Sequence, residues 1–325
     1  MTSLSDSPPG GPVAEAVRRA AGSAGPVVAV VLTILALWYA AAVPMNIHGA
    51  ADLAQRAGVA VSPETGPERR DISGMALALR NPPVIASTWD LQRPVLPSPH
   101  QVAVEIWGSV FGVKVTSKRS LVYHAWITLS ATVLGFLLGT GLGILLAVGI
   151  VHNRAMDMSV MPWAIASQTI PILAVAPMII VVLNSVGVTG LLPKSLISAY
   201  LSFFPVVVGM VTGLRSPTAM QADQMATWNA SRGQMFWKLR LPASMPFLFT
   251  SLKIGAAASL VGAIVGELPT GAQGGLGSRL LTGSYYGQTV QIWSALFMAA
   301  FCAAVLVGAI GAVQKGVLAR MGFGR

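Results

Sequence analysis

The sequence predicts an all-α membrane protein, and three observations carry that expectation. Only 10% of its 325 residues are charged and 54% are hydrophobic, where soluble domains carry about 25% charged residues. Six apolar runs are long enough, or nearly so, to cross the ~30 Å hydrocarbon core as helix. The ~10-residue alternation of a transmembrane barrel is absent. A mean hydropathy of +0.68 agrees with this class, and the 34 Gly and 21 Pro suit transmembrane helices, which tolerate both better than soluble helices do.

The elements follow in order. Residues 1–25 form a polar tail with Arg18 and Arg19 just before the first run, Pro26–Val43. Ala40-Ala41-Ala42 would suit a signal-peptide cleavage site, but the run exceeds the 7–15 residues of a signal core. A retained first helix is the expectation, with cleavage as the alternative. Residues 44–123 are the polar part, with eight Lys/Arg and six Asp/Glu. They are expected as an extracytoplasmic insertion, with Gln101–Phe111 as a short amphipathic helix at the membrane surface. Five runs follow near 125–151, 161–184, 190–214, 246–266 and 290–313, within a core at 124–315 and before a tail at 316–325. Pro171 and Pro177 should kink the run at 161–184.

Charge sets the orientation. With the N-terminus inside, Arg154, Arg215, Arg232, Lys238, Arg240, Lys315 and Arg320 join Arg18 and Arg19 on the cytoplasmic side, and Arg325 follows. Six spans then place both termini in the cytoplasm. The same scatter of basic residues explains the net charge of +10 without nucleic acid, since no basic run with interleaved aromatics occurs. Cys302 is expected to be a small packing residue. The four histidines are too dispersed to suggest a metal site.

The segment 217–242, within a cytoplasmic loop at 215–245, reads as two short helices. Pro217 suits a first helical turn. Met225 and Trp228, then Met235, Phe236 and Leu239, fall at helical spacing, leaving Arg232, Gln234, Lys238 and Arg240 on other faces. Between the halves, Asn229 suits a left-handed turn residue and Ser231 an N-cap. Leu241-Pro242 should stop the second helix. An ordinary connector is one reading of such a loop. Exposed apolar side chains on a water-facing, twice-helical loop favour the other, a partner site.

Asp223-Gln224-Met225, Asn229, Leu239 and Leu241-Pro242 stand at the spacing of EAA-x3-G-x9-I-x-LP. This resembles the EAA loop of binding-protein-dependent ABC importer permeases, although Asp223 replaces Glu and Asn229 replaces Gly. Ala230-Ser231-Arg232, Phe236-Trp237-Lys238, Leu96-Pro97-Ser98-Pro99 and Gly274-Gly275-Leu276-Gly277 are similar to the nitrate, sulfonate, taurine and pyrimidine-precursor branch. The resemblance covers roughly residues 94–315. It implies a permease core in spans two to six with an added N-terminal helix, and a coupling helix that docks on a dimer of ABC ATPase subunits. It further implies a second permease copy or a paralogous permease, and an extracytoplasmic solute-binding protein. ATP and Mg would sit on the ATPase, with no cofactor on this chain, which has no GxxxxGK[ST] run of its own.

Candidates for the solute path are Glu267, at the end of its span; Gln168, Thr169 and Pro171, a polar, helix-breaking cluster; and Tyr285 and Tyr286, in a glycine-rich segment that includes Gly271. Each has a plainer reading: a carboxylate at headgroup level, interhelical hydrogen bonds, and interfacial aromatics. The branch's acidic residue at this place supports a gate or pathway role for Glu267. The solute leans slightly toward a planar heterocycle such as a pyrimidine. A secondary transporter or channel working without ATP is the alternative function. It would call for charge relays or inverted repeats, and neither is evident in the spans. An intramembrane enzyme would need a catalytic constellation, which the spans lack.

Overall fold

The computed structural model describes residues 12–269 and 274–322; the tail 1–11, Gly271 and Arg325 lie outside them. Among the described residues the chain is helical, without a strand, and forms two compact units that divide at Val104/Glu105.

In the first unit, helix α1 (Pro12–Arg56) runs well past Val43. Its last turns stay helical because they have something to bury. Ile47, Ala50 and Ala51 pack with Leu77 of α3 (Gly74–Arg80), with Val84 and with Leu91. Helix α2 (Gly66–Asp71) supplies Arg69, buried and paired with Asp52 at 2.7 Å. Asn46 holds the chain's return. Its amide donates to the carbonyls of Thr88 and Leu96, and its oxygen accepts from the N–H of Val95 and Leu96. Much of the polar segment is therefore a small folded subdomain with its own core, not a loose insertion.

The second unit takes in most of α4 (Pro99–Phe111), because Ile106 and Val110 pack against an apolar cluster that includes Leu121 and Leu276. Its centre is made by α5 (Leu121–His152), α8 (Leu191–Leu214) and α11 (Leu241–Glu267). Lipid gives helices no hydrophobic reason to associate, so close packing by small residues has to do it. Gly135, Gly139 and Gly143 of α5, four apart, lie against Ser198, Ser202 and Val206 of α8. Ser198 Oγ meets Ser259 Oγ of α11 at 2.6 Å, and Ser259 Oγ also lies 2.8 Å from the Thr132 carbonyl. Helix α13 (Thr289–Arg320) adds Ala295, Ala299 and Cys302 to one apolar cluster. Cys302 is buried there, the packing residue its apolar surroundings predict.

Two details depart from the sequence reading. The run with Pro171 is not a kinked helix but two, α6 (Arg154–Ser167) and α7 (Ile172–Ser185), meeting at 99°. Pro171 cannot donate an N–H and holds the residue before it out of helical geometry, so the chain turns at 168–171. Counted as one broken span, the pair gives six spans with α1, α5, α8, the helix ending at Glu267, and α13. The second departure is at Leu241-Pro242, which does not stop a helix. Helix α10 (Arg232–Met235) passes through a π turn, Phe236–Arg240, directly into α11. In that turn the Leu241 N–H reaches back five residues, to Phe236 O. A widened turn accommodates a residue that lacks an N–H without breaking the axis.

Candidate functional site

The loop 215–245 is built by local chemistry. Thr218 caps helix α9 (Ala219–Thr227) in a capping box with Gln221, so Pro217 stands before the cap and outside the first turn. Ser231 caps α10 in a second box, with Gln234. Between them α9 closes in a Schellman turn: Ala230 N–H donates to Met225 O and Asn229 N–H to Ala226 O. Asn229 sits at φ 54°, the only non-glycine residue with positive φ among the described residues. Gly187 and Gly287 hold the same place after α7 and after α12 (Leu276–Tyr285). Asn229→Gly is expected to leave stability within a few tenths of a kcal/mol. Asn229→Val should lose about 1–2 kcal/mol of local stability, seen as faster amide exchange across 225–235.

The apolar face of this loop divides in two. Met235, Phe236, Leu239, Leu241 and Pro242 are half-buried in the chain itself. Phe236 packs with the cluster of Ile150, Met210 and Leu214 and sets its ring edge-on to His152 at 5.2 Å. Leu239 lines a small cavity with Val151, Leu214 and Pro217. Exposed instead are Met220, 80%, Trp228, 68%, and Trp237, 67%. Met225 is half-buried, whereas Asp223 and Arg232 are exposed. Spacing alone missed Met220 and Trp237. It treated Phe236 and Leu239 as a free-standing face, although they continue the inward face of the span through the π turn.

Gln168, Thr169 and Pro171 lie together and exposed at the break between α6 and α7. Thr169 Oγ1 bonds back to Ala166 O, and Gln168 Nε2 to Ser167 Oγ. The interhelical bond at the break is made by Tyr200, whose hydroxyl donates to the Ser167 carbonyl. Tyr285 and Tyr286 are exposed at the end of α12. Glu267 is elsewhere in character: fully buried beneath the start of α12. Its Oε1 lies 2.8 Å from Thr128 Oγ1, and its Oε2 accepts the Gly277 N–H at 2.8 Å. Thr128 Oγ1 in turn accepts the Leu276 N–H, and His124 Nδ1 lies 3.0 Å from the Gly275 nitrogen.

Beside this network is a cavity of about 410 Å³ lined by Lys118, Tyr123, His124, Ser278, Arg279 and Gln291, among others. Buried Arg279 pairs with Glu105 at 3.0 Å and donates to Arg119 O. None of His124, Thr128 or Arg279 stood out in the sequence. The one usable signal was that His124 and Thr128 are four apart and share a helix face.

Comparison with known proteins gives this arrangement a family. Residues 139–322 match the family described as "binding-protein-dependent transport system inner membrane component". The chain is 32% identical over 184 residues to a formylaminopyrimidine transport permease of Halalkalibacterium halodurans, covering 56% of this chain and 68% of the relative. It is 31% identical over 180 residues to a riboflavin transport system permease of Chloroflexus aurantiacus, covering 55% and 63%. A putative aliphatic sulfonates transport permease of Bacillus subtilis is 25% identical over 266 residues, covering 78% and 90%. The membrane-spanning helices and the match across 139–322 agree: the chain belongs to the inner-membrane permease components of binding-protein-dependent, ABC-type transport systems.

Proposed function

We propose that this chain is the permease subunit of an ATP-driven importer, with both termini cytoplasmic, and that residues 218–240 dock on a separate ATPase that binds ATP and Mg. A second permease copy or a paralogue completes the pathway, and an extracytoplasmic binding protein delivers a small solute. One observation carries the docking reading. The loop is built by local bonds, with two capping boxes and a Schellman turn, yet it leaves Met220, Trp228 and Trp237 exposed. Exposed aromatics on a preorganised helical hairpin are the composition of a protein-binding surface. For the solute, a planar nitrogen heterocycle is the preferred class, supported by relatives named for formylaminopyrimidine and riboflavin.

Met220→Ala with Trp228→Ala tests the docking. These side chains make no part of the chain's apolar clusters, so the permease should fold normally. Loss of a central aromatic anchor costs on the order of 2 kcal/mol or more, so ATPase retained on co-purification should fall by tens-fold and transport with it. Undiminished ATPase and transport in the double variant would refute the assignment. The solute class is checked by direct binding of pyrimidines, flavins and sulfonates to the cognate binding protein.

A further inference from the structure

The folded part of the first unit carries a groove that neither the docking loop nor the candidate solute path uses. One wall is the end of helix α1. Gly58, at φ +85°, closes that helix: Val59 N–H donates to Ala54 O and Gly58 N–H to Gln55 O. The other wall is the chain from Pro83 to Arg93, which passes through two 3-10 turns, Pro82–Val84 and Ala86–Trp89. That wall is tied down. Asn46 donates to the Thr88 carbonyl, and Val84 and Leu91 are anchored in the core with Ala50. Between the walls lies a cavity of about 820 Å³, within the roughly 300–1,000 Å³ of small-molecule sites.

Leu53 and Val59 line this cavity while 51% and 45% exposed, apolar surface whose burial by a ligand is favourable. Lipid does not reach it. The apolar run of α1 ends at Val43, and Arg56 stands thirteen residues further along the same helix, roughly 20 Å at 1.5 Å per residue. The headgroup layer is only about 5–8 Å deep on each side. The charges of the lining are unevenly matched. Asp52 is taken by buried Arg69 at 2.7 Å, and Asp90 lies 3.0 Å from His100 Nε2. Arg56, Arg93 and Gln92 line the same cavity, and their side chains have no hydrogen-bond or ion-pair partner among the described residues. With Asp52 neutralised by Arg69, two guanidinium groups stand against one carboxylate.

We propose that this groove is a binding site for a small, water-borne organic monoanion. Its alkyl or aryl body lies on Leu53 and Val59, and its carboxylate or sulfonate is held by Arg56 and Arg93, with Gln92 as a further donor. Arginine suits the role because its planar fork can give such a group two parallel hydrogen bonds. Both walls are fixed within the first unit, so binding pays little ordering cost. The site lies outside residues 139–322, the part that matches the permease family, and it does not depend on the docking loop.

Naphthalene-2-sulfonate serves as the probe, followed by its own fluorescence on titration into the full chain in nanodiscs of zwitterionic lipid, with empty nanodiscs as the blank. Saturable binding at a single site is expected. Arg56→Gln with Arg93→Gln should weaken it about fivefold or more, the scale of two exposed ion pairs. Ala57→Trp should abolish it without a change of charge, because Ala57 is exposed, lines the groove and takes no part in the core cluster. Arg80→Gln, at an exposed arginine outside the groove, should bind as the wild type does. Neutral naphthalene-2-sulfonamide should bind the wild type about fivefold more weakly than the sulfonate. Unchanged thermal midpoints show that each variant is folded; if one is not, the comparison of sulfonamide with sulfonate on the wild type still decides the charge requirement. No saturable binding above the blank, or equal affinity in the double arginine variant, would overturn the site. Equal affinity for sulfonamide and sulfonate would overturn the anion.

Discussion

Gly139→Leu is expected to leave no correctly packed permease. A Cβ at residue 139 would lie 2.1 Å from Ser202 Oγ and 2.8 Å from the Ala199 carbonyl oxygen. The hydroxyl can rotate away, but the carbonyl belongs to the backbone of α8 and cannot. Even alanine forces the two central helices apart, at about 1–3 kcal/mol for overpacking, and leucine adds a branched side chain to the same contact. Water-driven burial does not compensate within a bilayer. Gly141, two residues along the same helix, meets nothing within 4 Å. Gly141→Ala should therefore be neutral or slightly stabilising, since alanine is the better helix former. Thermal denaturation of the detergent-solubilised chain separates the pair. A wild-type midpoint for Gly139→Leu would show that α5 and α8 do not meet along this seam.

The second large effect is expected at Gly275. Its φ of +117° is a region that side-chain-bearing residues rarely adopt, and an added Cβ would fall 2.2 Å from Glu267 Cδ. Backbone strain of this kind costs about 1–3 kcal/mol, and the clash drives the carboxylate out of its place at the same time. Gly275→Ala should therefore lower stability and transport together. Combining it with Glu267→Ala removes the clash and leaves the strain, so the two losses should overlap by about 0.5–3 kcal/mol, the range for residues in contact. Strict additivity in denaturation midpoints would argue against direct contact between them.

These two sites differ in how far the sequence exposed them. The spans were legible because hydrocarbon demands long apolar runs, and the turn at Asn229 and the cap at Ser231 because a few adjacent residues determine each. What the sequence hid was non-local. Glu267 and Thr128 are 139 residues apart, and the groups they hold are backbone N–H of glycine and leucine, which leave no side-chain pattern. Phe236 and Leu239 were visible as apolar residues, but their direction depended on whether the helix continued past Pro242. The 99° break at Pro171 read as a kink, since a proline announces an interruption without fixing its angle. The core of the first unit was obscured because Ile47, Leu77, Val84 and Leu91 come from short pieces with no common period.

The π turn at Phe236–Arg240 has a consequence for how such a chain can change partners. A π turn amounts to one extra residue inside an α-helix, so everything before it is rotated by roughly 100° relative to an uninterrupted helix of 3.6 residues per turn. Loss of a single residue there would turn Arg232–Met235 about the helix axis and take Phe236 out of its packing with Ile150, Met210 and Leu214, while α9 stays tied to α8 through residues 215–218. The proposed docking surface can thus be re-aimed by insertion or deletion at this turn only by giving up that packing.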